Sequence, residues 1–338
     1  MAAVLIRGEG IAGLCCLRLL RDAGLQVVVE ALHRPQVPAI MLGETAQKLL
    51  RDVFDRRDLF AGLPRISRRI VSWGVQGEPL ALPHSAVVAS EKELLDRVQQ
   101  GFRPGADVES GPLDWMIFAS NPLPPSSVEH HFGSRPATAS SVVLQPICDA
   151  ESCWVESVEN GWLFLLPGEK GKGWLLSVGD SVESLLATSR LIKRQIGELQ
   201  PSRGAFPSHP RVAFPLAGPG WLACGTAALG FDPLCGDGAG NAVREAILGS
   251  AAIRRAIATD EADSLAAHYQ ARLLAGFKRH VALCFEFYKS GRSGPWWDLQ
   301  LDGLQRGLSW CSQQLAGRDG SHYRLDGFKL ERTEPTKS

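Results

Sequence analysis

The chain has 338 residues, of which 45% are hydrophobic and 21% charged, with 36 basic residues balancing 36 acidic ones. That length predicts about two domains with a sizeable core, and zero formal charge excludes a global field that would draw nucleic acid or an anionic membrane. No apolar run reaches the roughly 18 residues of a membrane span. The first strand begins too close to Met1 to leave room for a signal peptide. The eight cysteines contain no CxxC pair and no Cys/His grouping of zinc spacing, so free thiols, a reducing cytoplasmic setting and no metal site are expected.

Taken in chain order, an apolar run at Val4–Ile6 ends in Gly8-x-Gly10-x-x-Gly13, a helical pattern follows, and a second apolar run at Val27–Val29 closes on Glu30. This is a dinucleotide-binding βαβ unit. Gly8 permits the tight turn, Gly10 the approach of a pyrophosphate, and Gly13 close packing of helix on sheet. Ile11 and Ala12 add first-turn N–H groups to a helix N-terminus that attracts anions. Glu30 stands where a carboxylate accepts ribose hydroxyls, which favours FAD or NAD over NADP.

Next come Gly43-Glu44-Thr45 and a helical stretch through Phe54, with Glu44 either touching a cofactor or capping that helix. Alternation around residues 69–74, ending near Trp73, predicts a strand outside the nucleotide unit. Ser90 and Glu93 predict a capping box for a helix over 91–100. Short buried strands are expected at Val108 and 115–119. Residues 121–140 have the Pro, Ser and His content of a linker, which makes His130 and His131 solvated loop residues or substrate contacts. Strand-like runs at 140–145, 153–158, 162–166 and 174–178 predict an antiparallel sheet. Helical periodicity dominates from Gly240 onward, with a loose charged tail over 331–338.

Near residue 221 the nucleotide pattern returns: Gly225-Thr226-Ala227-Ala228, then Asp232-Pro233-Leu234-Cys235-Gly236-Asp237-Gly238-Ala239 opening a helix. A second glycine-rich helix entry suits another electron-rich ligand group, and the pyrimidine edge of a flavin is one. The predicted architecture is α/β: nucleotide-binding segments 1–65, 91–120 and 211–260, a sheet excursion at 66–90, a substrate sheet at 121–210, and helices over 261–330. Candidate cofactor contacts are therefore Gly8, Gly10, Ile11, Ala12, Gly13, Glu30, Glu44, Thr45, Gly225, Thr226, Asp232, Pro233, Gly236, Gly238 and Ala239. Asp237 is a candidate catalytic carboxylate or a helix cap, and Cys235 a candidate flavin contact or inert packing.

The two glycine motifs together resemble the FAD-dependent monooxygenase superfamily, with its glutathione-reductase-type FAD fold, an inserted antiparallel substrate sheet and a helical C-terminus. Gly43-Glu44-Thr45, the Asp-Pro-Leu turn and Trp162-x-Phe164-x-Leu166-Pro167 resemble its tryptophan-halogenase-like and geranylgeranyl-reductase-like branch. The resemblance spans most of residues 1–260 and implies an FAD-dependent oxidoreductase. Trp73, Trp162 and Trp174 lie on expected strands of the substrate sheet and, with Phe164, either wall an aromatic pocket or pack in the core, core packing being the default for each tryptophan. Several positions depart from it. The strand leading to Trp73 carries Arg65, Arg68 and Arg69 but no lysine, Cys235 replaces a glutamate, and Thr226 and Ala119-Ser120 replace acidic positions.

Size and the Pro-Leu-Cys-Gly-Asp-Gly turn are more similar to the small flavoproteins that accompany tryptophylquinone-dependent oxidases. That resemblance implies hydroxylation of an indole or of a peptidyl tryptophan, with an oxidase as partner. Reduction of a hydrophobic small molecule and a purely structural FAD are the other readings. No second GxGxxG unit is present, so electrons come from transient NAD(P)H or from an external flavin reductase. Nine tryptophans stand against three tyrosines, and Trp296-Trp297 is either a partner contact or a domain-closing anchor.

Overall fold

Parallel pairing of Ala3–Arg7 with Gln26–Glu30 requires a crossover, and the twelve residues of α1 (Ile11–Asp22) supply it. In this computed structural model, residues 2–32, 34–75, 78–100, 113–124, 126–235, 237–317 and 323–333 are described. The first sheet runs Ala217–Gly218, Trp221–Ala223, Trp115–Phe118, Ala3–Arg7, Gln26–Glu30, parallel except at its first pair. Leu14, Cys15, Cys16, Leu17, Leu19 and Leu20 bury one broad side of α1 against it. The expected strand at Val108 lies outside the described residues.

The second sheet has eight strands: Ile196–Pro207, Pro136–Leu144, Lys172–Gly179, Gly161–Pro167, Ser152–Val158, Arg65–Ser72, Leu80–Ala89 and Ile40–Gly43. All pairings are antiparallel except Arg65–Ser72 with Ser152–Val158. Ile40–Gly43 leads directly into α2 (Glu44–Phe54), and Leu80–Ala89 into α3 (Glu91–Gln99), where Ser90 Oγ accepts the Glu93 N–H at 3.1 Å as the capping box predicts. On one side Leu163, Leu165 and Leu175 pack with Leu185 of α4 (Val182–Thr188). On the other, Trp162 and Val178 join the main core.

Three long helices complete the chain: α5 (Gly238–Ala258), α6 (Ala262–Lys289) and α7 (Pro295–Leu315). Trp297, at the start of α7, is fully buried and donates its indole N–H to the Glu159 carbonyl at 2.9 Å. Of the two roles open to the Trp pair, Trp297 therefore takes that of an anchor between helices and sheet. No helix among the described residues is long and apolar enough to cross a membrane.

Two expectations are corrected. Residues 121–140 are not a plain linker: Val128–His131 pairs with Arg211–Phe214, which pairs with Leu229–Gly230, and Pro136 already begins a strand of the large sheet. The partner strand lies some eighty residues away and an Arg211–Glu129 ion pair ties the two, so local composition misleads. The tail is not loose before residue 333 either. Tyr323–Asp326 and Lys329–Arg332 form a hairpin whose Phe328 and Leu330 carbonyls accept from Arg254 and Arg255 of α5 at 3.1 and 3.2 Å.

Candidate functional site

The first glycine turn is built by backbone crowding. Gly8 has φ +110°, and a Cβ there would lie 2.4 Å from Ser120 Oγ; a Cβ on Gly13 would lie 2.0 Å from the Gly8 carbonyl oxygen. Neither position tolerates a side chain. Gly10 caps α1 without a side-chain hydrogen bond, and the first turn carries no acid, so the N–H groups at the positive end of that helix are not capped by a side chain of its own turn. Arg34 closes this mouth: its Nη2 would sit 2.8 Å from a Gly10 Cβ, and Glu91 holds the guanidinium in a two-point ion pair. Sequence reasoning missed Arg34, because only the fold brings the loop after Glu30 back over the helix.

Glu30 is at the expected strand end but does not stand alone. Arg7 Nε donates to it at 2.7 Å and holds its carboxyl below the ordinary range. Glu44 and Thr45 are exposed in the first turn of α2, whose N-cap is Gly43, and Glu44 makes no cap hydrogen bond.

The second glycine turn meets the first. Gly225, at φ +57°, leaves 2.8 Å between its would-be Cβ and Ala12 Cβ of α1, and Thr226 Oγ1 donates to the Ala119 carbonyl at 3.4 Å. Gly8, Ala12, Ala119, Ser120, Gly225 and Thr226 thus form one continuous backbone-lined floor. Beneath it the Gly225 N–H donates to Glu245 of α5 at 2.6 Å. Burial pushes the Glu245 carboxyl up to about 8, against the opposing pull of that hydrogen bond, and its Oε1 has no partner.

The Asp232-Pro233 turn has a different character from the one expected. Asp232 does not offer its carboxylate to a cofactor: its side chain is fully buried, 3.0 Å from Arg135 Nη2, and accepts from Tyr288 Oη at 3.0 Å and the Leu234 N–H at 2.9 Å. The carboxylate shapes the turn from inside, and burial pushes it up while Arg135 and these hydrogen bonds oppose. Arg135 is itself buried, stacked 4.6 Å over the Tyr288 ring.

Asp237 begins α5 but does not cap it through its side chain. It pairs with Arg244 at 2.7 Å, and Gly240 gives its carboxylate room. A Cβ on Gly238 would meet nothing within 4 Å, so this helix entrance is open. Ala239 follows on its first turn, Pro233 stands in the short turn Pro233–Cys235, and Gly236 lies outside the described residues.

The aromatic residues converge on Tyr288 of α6. Trp162 donates its indole N–H to Tyr288 Oη at 2.9 Å and is only 1% exposed, so it is core rather than an open pocket wall. Trp73 packs edge-on to Trp297 at 5.6 Å and donates to the Phe287 carbonyl at 2.9 Å. Phe164, two residues from Trp162 and on the same sheet face, is half-buried. Tyr288 therefore joins the eight-stranded sheet and the Asp232 turn through one hydroxyl, a role no local motif announces. His130 and His131 are strand residues: His130 stacks on Trp310 at 4.8 Å, and His131 Nδ1 lies 2.9 Å from His209 Nε2.

Cys235 is not isolated packing. Its Sγ lies 3.3 Å from Cys284 Sγ, and Cys284 lies 3.4 Å from His280 Nε2. The expectation of no Cys/His grouping fails because Cys235 and the α6 pair are almost fifty residues apart. The available signal was His280-x-x-x-Cys284, which puts two ligand types on one helix face.

The residues present fit an FAD. The N-terminus of α1 opens, without a side-chain cap, on a floor of small residues shared with the Gly225 turn; Arg34 stands over that opening, and the α5 entrance is likewise without a side-chain cap. No protein-family model and no curated protein matches the chain. Solved structures do. CmlS, a flavin-dependent halogenase, aligns over 98% of this chain and 84% of its own at 18% identity, TM-score 0.78. QhpG, a peptidyl tryptophan dihydroxylase essential for tryptophylquinone cofactor biogenesis, aligns over 98% and 86% at 16% identity, TM-score 0.71. Klebsiella pneumoniae HpxO, solved with FAD and uric acid, aligns over 93% and 92% at 14% identity, TM-score 0.59. The chain shares its fold with these three enzymes.

Proposed function

We propose that this protein is an FAD-dependent monooxygenase that hydroxylates an electron-rich aromatic ring, an indole above all, and a tryptophan within a partner polypeptide as its most specific form. The observation that carries this reading is the meeting of the α1 entrance and the Gly225 turn at Ala12, with Asp232, a few residues further on, coupled through Tyr288 to an aromatic sheet. Bound FAD, once reduced, supplies the activation of O2. The chain's own residues do the rest. First-turn N–H groups of α1 and the Arg34 guanidinium bind the pyrophosphate, and Glu30, steadied by Arg7, accepts from the ribose. The entrance of α5, open at Gly238, would hold the electron-rich flavin edge. Trp73 and Phe164 orient the substrate ring, and Trp162, Tyr288 and Trp297 keep water out behind it.

Asp237 is the carboxylate placed to take a substrate proton, and Arg244 pairs with it at 2.7 Å. Residues 121–210 serve as the substrate domain in this reading. Halogenation is disfavoured, because strand Arg65–Ser72 carries arginines and no lysine. The resemblance to QhpG, which acts on a peptidyl tryptophan, supports a polypeptide substrate and an oxidase as partner.

The test is reconstitution with FAD, reduction by NADH or a flavin reductase, and exposure to isotopically heavy O2 with indoles and tryptophan peptides. Heavy oxygen in the ring is the expected result. Turnover without oxygen incorporation favours a reductase, and bound flavin that cannot be reduced favours a structural role; either overturns the proposal.

A further inference from the structure

We propose that Cys235, His280 and Cys284 form a binding site for a soft divalent cation of the zinc class, which clips the second glycine turn to α6. The three ligand atoms lie within 4.8 Å of one another. His280 and Cys284 are four residues apart on α6, hence one above the other on a single helix face, and Cys235 arrives from the facing turn Pro233–Cys235. Zinc binds thiolate at about 2.3 Å and imidazole at about 2.0–2.1 Å, so tetrahedral ligands stand roughly 3.5–3.8 Å apart. The observed 3.3 Å between the sulfurs and 3.4 Å from Cys284 to His280 need an opening of a few tenths of an ångström. A disulfide, with sulfurs about 2.05 Å apart, would need the two to close by far more.

The imidazole is already aimed. Phe231 stands edge-on to the His280 ring at 4.9 Å, and Phe277 lies stacked with it at 6.5 Å. The Asp232 N–H donates to Nε2 at 2.9 Å, so that nitrogen carries a lone pair and Nδ1 the proton. Coordination takes this lone pair from the Asp232 N–H, and a metal–nitrogen bond wins that competition. Two thiols release their protons to solvent on binding, and two thiolates with a dication are neutral together, which suits a buried place beside the Arg135–Asp232 pair. Three protein ligands leave the fourth position to water. Such a clip spans the turn that leads into α5, so it would set the position of that helix entrance.

The site stands on these three side chains whether or not the chain binds FAD, and its test reads the metal alone. The full chain, freed of metal and kept reduced, is titrated with Co2+. One equivalent should give sulfur-to-cobalt charge-transfer absorption with the intense visible bands of a tetrahedral site, and one equivalent of Zn2+ should abolish both. Cys235→Ser, at a half-buried position, and His280→Gln should each weaken Co2+ binding by about a hundredfold or more. Cys148→Ala, remote from the cluster, should leave it unchanged. Absence of thiolate–cobalt absorption in the wild type, equal binding by Cys235→Ser, or a Cys235–Cys284 disulfide in the reduced protein would each overturn the proposal.

Discussion

The two glycine turns perform related tasks with opposite construction. The first, Gly8 to Gly13, is a matter of steric fit: a Cβ at Gly13 has 2.0 Å to the nearest carbonyl oxygen, and one at Gly8 has 2.4 Å to Ser120 Oγ. The second, Gly225 to Gly238, rests on buried polar groups from distant segments: Glu245 under Gly225, and Arg135, Tyr288 and Asp232 under the Pro233 turn. A turn defined by sterics is stabilised by its own residues. A turn held on buried charges depends on every partner being present, because a buried charge left alone is costly.

The largest expected effect tests that dependence. Arg135→Met leaves the Asp232 carboxylate buried without its cation and should cost about 3–5 kcal/mol in denaturant unfolding; a loss below about 1 kcal/mol would mean that the second turn does not rest on this pair. Gly13→Ala attacks the steric turn. The helix must move off Gly8, and FAD affinity should fall by roughly a hundredfold, about 3 kcal/mol, in a flavin fluorescence titration. Unchanged affinity would break the comparison from the other side.

Glu245 supplies a pH signature. Folding raises its carboxyl from 4.5 to about 8, so between those values the unfolded chain has released a proton that the fold retains. Its contribution is therefore fully present below about pH 4.5 and lost as pH rises toward 8, at up to about 1.4 kcal/mol per pH unit. Unfolding midpoints across that window should fall for the wild type more steeply than for Glu245→Gln, and parallel curves would contradict the assignment. The smallest effect contrasts the two turns directly. Gly238→Ala meets open space at a helix start and should raise apo stability by about 0.5–1 kcal/mol, while a cofactor lying against that entrance would make FAD binding weaker.

Legibility in the sequence followed the same division. Gly13, which meets the Gly8 carbonyl, and the Ser90 cap of α3 are local, and the spacing of Gly8, Gly10 and Gly13 located the turn even though Gly8 and Gly10 are crowded by the distant Ser120 and Arg34. Asp232 was recognisable as part of a turn, yet the direction of its carboxylate was not, since Arg135 and Tyr288 stand about one hundred residues before it and fifty-six after it. Trp162 was open between pocket wall and core from its strand pattern, because alternation shows which face a side chain takes and not what covers that face. The strand at Val128–His131 went unread for a related reason: its hydrogen bonds are supplied by Arg211–Phe214 and not by its own composition.

By itself, the order of residues determined the βαβ unit, the two glycine entrances and the alternation of the substrate sheet, because steric limits, capping and hydrophobic period act over a few residues. Tertiary structure decided that Arg34 closes the first entrance, that Tyr288 joins sheet to turn, and that Cys235 finds His280 and Cys284. Those contacts depend on how α6 and the loops pack, and a side chain's charge state and partners are set by what surrounds it in space.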